Sequence, residues 1–325
     1  MNLKQFLTSL QWHYTHKFGD GLPNLCFDGD VNEASSWIKE GVMSGNPFMV
    51  ARLGSVELSV ICNYLSIISP PTNLKGIINF IRGKRCEWWW GDQSWFHTNA
   101  GFFSNTTEYR IKFCKMMLND MKFVDVLGSW RKQEFFINDR LNNCKKIPLA
   151  FLEPFWADSP WTEALTGKNV LVIHPFAKLI EKQYKKRNLL FKDSRLLPYF
   201  KLNTIQAVQT IGGDNAGFSS WFDALDFMKS EMDKYDYDVA LIGCGAYGFP
   251  LAAHAKLRGK VGIHMGGALQ LLFGIKGKRW ENPNLATTTL GGKGKYLDLF
   301  NEEWVYPDET LRPKAFKQVE NGCYW

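Results

Sequence analysis

Short apolar runs rich in Val, Ile, Leu and Phe alternate along the chain with longer stretches whose apolar residues recur every three or four positions. The short runs predict strands at Phe48–Arg52, Phe123–Leu127, Ile147–Leu152, Asn169–His174, Thr204–Thr210, Asp238–Ile242 and Lys260–His264. The helical period predicts helices at Val56–Leu65, Thr107–Lys122, Phe176–Leu190, Trp221–Lys234, Tyr247–Arg258 and Ala268–Phe273. Strands and helices in this alternation predict an α/β fold: a Rossmann-like, mostly parallel sheet flanked by helices. There is no internal repeat and no low-complexity tract. Residues 1–281 are expected to form the α/β domain, in halves of about 30–152 and 168–281, with Glu153–Lys168 as a hinge between them. Residues 282–325, rich in Gly and Lys and then in Trp and Tyr, are expected to form an irregular C-terminal extension.

A chain of 325 residues suffices for one large α/β domain or two small ones. The formal charge of +7 favours anionic partners. Its densest basic runs, Lys182–Arg187 and Lys276–Arg279, lack any nucleic-acid module around them, so they read as solvated surface and no nucleic-acid partner is expected. The 13 Trp and 24 Phe suit either a site that stacks rings or ordinary core and rim. Seven scattered cysteines, none in a C-x-x-C pair, argue against a disulfide framework and a structural zinc. No apolar run is long enough to span a bilayer, and the chain's start has no unbroken apolar segment. A cytoplasmic location is expected, with peripheral membrane association left open.

Candidate chemistry clusters at the predicted strand ends. Gly243-Cys244-Gly245-Ala246-Tyr247-Gly248 matches G-x-G-x-x-G between a strand and a helix. A dinucleotide site also needs an acid about 20 residues on, at the end of the next strand. Here no Asp or Glu occurs from Phe249 to Trp280. The turn can still receive a phosphate on its backbone N–H groups, or the glycines can serve close packing alone. Upstream, Arg52-Leu53-Gly54-Ser55-Val56-Glu57 leaves the first strand: Arg forks onto a diphosphate, Gly lets backbone approach, and Glu offers a carboxylate. Ser55 and Glu57 are equally explained as helix-end residues. His174 and His264 stand at two further strand ends, the second followed by Gly266 and Gly267. No zincin, serine-hydrolase or P-loop motif occurs.

Taken together, these segments resemble bacterial glycosyltransferases with the GT-D fold, encoded in capsule, O-antigen and exopolysaccharide clusters. The likeness lies in Arg52–Glu57, against that family's R-x-G-D-x-E element, and in "VLVIHPFAKLIEKQY", "DVALIGCGAYGFPLAAHAKLRGK" and "IHMGGALQLLFGIKGKRW". It extends to "NAGFF" and "VLGSW" and spans roughly Phe48 to Trp280. The resemblance implies transfer of a sugar from a nucleotide-sugar donor to a glycan or lipid-linked acceptor in surface polysaccharide assembly. It implies Glu57, His174 and His264 as catalytic candidates. It implies nucleotide-sugar binding by Arg52, Gly54, Ser55, Gly243, Gly245, Tyr247, Gly248, Gly266 and Gly267. Ser55 stands where the family has its first acid, so of the pair only Glu57 is left to hold Mn²⁺ or Mg²⁺. Arg52 and helix N-termini are the alternative partners of the diphosphate. Two other readings stay open: a non-catalytic sugar- or nucleotide-binding protein, and an NAD(P)-dependent oxidoreductase.

Overall fold

The computed structural model describes residues 2–141, 143–283, 285, 294–309, 312, 322 and 324. Seven strands form one sheet: β1 (Phe48–Arg52), β2 (Val126–Ser129), β3 (Lys145–Pro148), β4 (Asn169–His174), β5 (Lys201–Gln206), β6 (Val239–Ile242) and β7 (Val261–His264). Their order is β3-β2-β1-β7-β6-β4-β5, and every neighbouring pair is parallel. The chain is therefore α/β with a Rossmann-like sheet, as the alternation predicts. All four residues of β6 and of β7 are buried. Strands covered on both faces read as unbroken apolar runs, which is why these were visible in the sequence.

Parallel crossovers are right-handed, so the direction of each step along the sheet decides which face its helix covers. Steps towards the β3 edge put the helices Ser55–Ile68, Thr107–Asp120, Trp221–Met232 and Gly248–Leu257 on one face, in one apolar cluster around Phe102, Phe113 and Trp221. Steps the other way put Trp161 and the helix Ala177–Tyr184 on the opposite face, beside Val31–Met43. Consequently β6 and β4 send their chains to opposite faces, and so do β1 and β7, since Leu269, Leu271, Leu272 and Phe273 after β7 pack in the second cluster. Reversals of this kind open a crevice outside the carboxyl ends of the strands.

Several boundaries differ from expectation, each for a local reason. The third strand ends at Pro148, not Leu152: the ring fixes φ and removes a donor, and residues 149–152 wind into a 3₁₀ turn. The second strand begins at Val126, because Met121–Phe123 continues the preceding helix as a 3₁₀ turn. The fifth strand lies earlier, Lys201–Gln206, pairing in full with β4; as a half-covered edge strand it carries Lys201 and Asn203 and lacks the apolar signal. The helix expected over Phe176–Leu190 breaks into Ala177–Tyr184 and Arg187–Leu190. Two long helices had no predicted counterpart, Leu3–Phe18 and Val31–Met43. Their start signals were present: Asn2 with Gln5 and Asp30 with Glu33 each form a reciprocal capping box.

Residues 153–168, expected as a hinge, are packed into the molecule. Trp161 is fully buried, its indole N–H donates to Leu152 O at 2.9 Å, and Glu163 pairs with Lys39 at 2.7 Å. The two halves meet where β7 pairs with β1. Of the extension expected from 282, residues 284, 286–293, 310–311, 313–321, 323 and 325 lie outside the described residues, Cys323 among them; Tyr296 and Trp304 within it are buried against the second face. Among the described residues no helix is long and apolar enough to cross a membrane, and the six described cysteines are free thiols.

Candidate active site

A cavity of about 180 Å³ opens where the sheet predicts a crevice. The ends of β1, β2, β4, β6 and β7 all contribute to its wall: Arg52, Gly54 to Glu57, Trp130, His174, Gly243 to Tyr247, and Gly266 with Gly267. Residues separated by 200 positions in the chain are adjacent here because a parallel sheet brings all its carboxyl ends to one side.

Arg52 is the last residue of β1, and its guanidinium stacks on the Trp130 ring at 5.5 Å. Trp130 is itself anchored by its indole N–H on Leu53 O at 2.9 Å. The loop that carries it is pinned by Glu134, which accepts the backbone N–H groups of Trp130 and Arg131 at 3.0 and 3.1 Å. Gly266 leaves room for the arginine, whose side-chain atoms pass 3.5 Å from where a Cβ would stand. Arg52 has no carboxylate partner among the described residues, and it lines the cavity.

Glu57 is buried and is the one acidic side chain among the described residues of the cavity wall. It occupies the third position of the helix that starts at Ser55, and its carboxylate fills the space a side chain at Gly54 would need. Gly54 supplies no side-chain cap, and neither does the residue before Gly248–Leu257. The first residues of the helix that starts at Ser55 line the cavity, with the Glu57 carboxylate over its end, while the helix Gly248–Leu257 starts behind the 3₁₀ turn Gly245–Tyr247, which lines the cavity in its place.

The two histidines behave differently. His174 lines the cavity; its Nδ1 accepts the Phe176 N–H at 3.0 Å, which leaves the proton of the neutral ring on Nε2. His264 lies beneath the glycine turn, outside the cavity wall, its Nδ1 donating to Ile242 O at 3.3 Å. Burial pushes both down to about 3, and Arg52 adds to the effect at His264. Both are therefore neutral at ordinary pH.

The glycine motif is accounted for position by position. Gly245 has φ +58° with open space around its missing Cβ, so it makes the turn and leaves the backbone accessible. A side chain at Gly248 would collide with the His264 ring. Gly243 packs under His174 and Gly266 O. Tyr247 is stacked on Trp221 at 4.6 Å, and its hydroxyl meets Thr210 Oγ1 at 2.9 Å, which in turn donates to Gly101 O at 2.7 Å. It builds the floor of the cavity.

The structure adds residues that the sequence did not mark. Arg279 belongs to a run that reads as solvated surface, yet it reaches the cavity and donates to the Tyr324 hydroxyl at 2.8 Å. Tyr324 stands where a side chain on Gly267 would be and narrows the space. Thr210 and Gln270 also line it, both almost fully buried. Nothing in the local sequence distinguishes them, since each arrives from a loop or a short helix by tertiary packing alone.

A divalent ion would find a poor donor set. Among the described residues no three His, Cys, Asp or Glu side chains converge. The single carboxylate, Glu57, is folded over the helix end beside Ser55. The described residues do not build a metal centre, and no step below passes through one. Compared with known protein families, curated proteins and solved structures, the chain has no match to a family model, to a curated protein or to a solved structure.

Proposed function

We propose that this chain is a glycosyltransferase of the GT-D kind, moving a sugar from a nucleoside-diphosphate donor to a hydroxyl acceptor in surface polysaccharide assembly. The observation that carries the reading is the Arg52 guanidinium, without a carboxylate partner among the described residues, beside the helix start at Ser55 and the open Gly245 turn in one cavity at the strand ends. These are fixed positive groups, matched to a diphosphate whose charge grows as it departs. Arg52 and the N–H groups of the helix starting at Ser55 meet the diphosphate. The neutral His174 donates from Nε2 and orients the sugar or acceptor, since a ring held near 3 is too weak a base to take a proton at neutral pH. Glu57, which lines the cavity, takes the acceptor proton in this reading. His264 supports the turn from below. The oxidoreductase reading has less support: β7, the strand after the glycine turn, ends in His264 without an acid for a ribose.

A thermal-shift screen tests this. A nucleotide sugar at a hundred times its dissociation constant adds about 2.7 kcal/mol, a readable rise in melting temperature. UDP-, GDP-, CMP- or dTDP-sugars should stabilise the wild type and leave Arg52→Ala unmoved. Stabilisation by NADH or NADPH alone would sink the proposal. Binding without any transfer or hydrolysis of the donor would support the non-catalytic reading instead.

A further inference from the structure

Two helices packed side by side, Leu3–Phe18 and Leu74–Ile81, keep apolar residues in solvent. Gln11 of the first donates to Phe80 O of the second at 2.9 Å, and a Cβ on Gly83 would stand 2.6 Å from Asp20 O, so their C-terminal ends lie together. Along the first helix Leu3, Phe6, Leu10, His13 and Lys17 follow one another at spacings of three and four, which puts them on one face. All five are exposed, Leu3 by 72%. Along the second, Leu74, Ile78 and Arg82 recur at every fourth position and are exposed as well, Leu74 by 70%. The first helix attaches to the protein by other residues: Leu7 is buried, the Thr8 hydroxyl donates to Glu87 and the Gln11 amide to Phe80 O. Its apolar stripe is left unpartnered, and exposed apolar patches of this kind mark interaction surfaces.

The charge around the stripe says what would cover it. Residues 2–19 and 68–86 hold no Asp or Glu but hold Lys4, Lys17, Lys75, Arg82, Lys84 and Arg85, nearly the whole of the chain's formal +7. All but Arg85 are exposed. None of those five forms an ion pair among the described residues. The acids that bound the two segments are engaged elsewhere, Asp20 with Lys132 at 3.5 Å and Glu87 with the Thr8 hydroxyl at 3.1 Å. Apolar side chains alone would suit a second copy of this chain, but a two-fold pairing would set this positive face against itself. A bilayer carrying anionic lipid answers both features. Leu and Phe enter the acyl boundary, while Lys and Arg lay their stems along it and keep their charges at the headgroup phosphates.

We infer that this two-helix face docks the protein peripherally on an anionic bilayer. The face is close to the candidate site: Gln11 and Thr15, on another side of the first helix, wall a cavity of about 710 Å³ that shares Ser55 and Val56 with the Arg52 cavity. The inference goes beyond the proposed sugar transfer and does not depend on it, since docking is read without donor or acceptor.

Flotation of the full chain with vesicles tests it, using phosphatidylcholine alone and phosphatidylcholine mixed with phosphatidylglycerol. The wild type should float with the mixed vesicles and not with phosphatidylcholine alone, and less of it should float as salt is raised. Phe6→Gln combined with Leu10→Gln removes apolar reach, and Lys17→Glu combined with Arg82→Glu reverses charge, all at exposed positions. Each pair should weaken vesicle binding at least about tenfold, and the second pair keeps the test open if the first does not fold. Leu257→Gln, at an exposed leucine on another helix, should bind as the wild type does. The inference is overturned if the wild type stays off anionic vesicles, if it floats equally with phosphatidylcholine alone, or if both paired variants float like the wild type. Light scattering supplies the remaining outcome: a wild-type dimer that the Phe6→Gln, Leu10→Gln pair splits assigns the face to a second copy and overturns the inference as well.

Discussion

Replacing His174 with Asn isolates the electrostatics of the candidate site. The Asn carbonyl oxygen keeps an acceptor for the Phe176 N–H that His174 Nδ1 accepts at 3.0 Å, but the side chain no longer titrates. In the wild type, burial holds the folded-state imidazole at about 3, against an ordinary value of 6.5. A group depressed on folding contributes stability above its unfolded value and loses it as pH falls towards the folded one. Here that window runs from pH 6.5 down to about 3. At pH 5 the unfolded imidazole has taken up its proton and the folded one has not. A span of 1.5 pH units at 1.36 kcal/mol per unit corresponds to about 2 kcal/mol of wild-type stability lost. His174→Asn escapes that loss. Urea unfolding of both proteins at pH 7.5 and pH 5 measures it directly, because other titrating groups cancel in the difference. The variant is less stable at pH 7.5 by whatever its packing costs, and the gap should close by about 2 kcal/mol at pH 5. An unchanged gap would refute the reasoning: His174 would then bind protons alike in the folded and unfolded states, and a neutral, orienting imidazole would lose its basis.

Three further outcomes follow from single contacts. Glu153 is buried under the Tyr296 hydroxyl and the Trp156 indole, and burial raises it from 4.5 to about 7. Its contribution is full below pH 4.5 and lost as pH rises to 7, so Glu153→Gln should gain about 3 kcal/mol relative to wild type between pH 4.5 and pH 8 in paired denaturation curves. Glu57→Gln removes a first-turn charge worth roughly 0.3–1 kcal/mol, so it should melt within a few degrees of wild type yet transfer sugar at least about a hundredfold more slowly; near-normal transfer would leave Glu57 a helix-end residue only. Tyr324→Ala should widen a cavity that is small beside the roughly 300–1,000 Å³ of usual ligand sites, and titration should show tighter nucleotide-sugar binding, where weaker binding would make the tyrosine a ligand contact.

What the sequence by itself determined is what short-range physics controls. The runs "NVLVIH" and "DVALI" announce strands because both faces are covered, and the helices between them show their apolar stripe. Alternation then leaves few topologies, since crossovers are right-handed and ligands gather at strand ends. Arg52, Gly54, Glu57, His174 and the Gly243–Gly248 turn were legible as site candidates for that reason alone. The edge strand Lys201–Gln206 was misplaced because an edge is half-covered and so lacks the apolar run. His264 shows the limit most clearly. By position it matches His174, one strand end like another, yet only packing separates them. The helix Gly248–Leu257 lies over His264, where the absent side chain of Gly248 makes room for the ring, while His174 is left in the cavity wall. Thr210 and Tyr324 reach the same cavity from segments that carry no local signature, and Arg279 reaches it from a basic run that reads as solvated surface. Which side chain faces a cavity depends on contacts between residues far apart in the chain, and only the tertiary structure decided that.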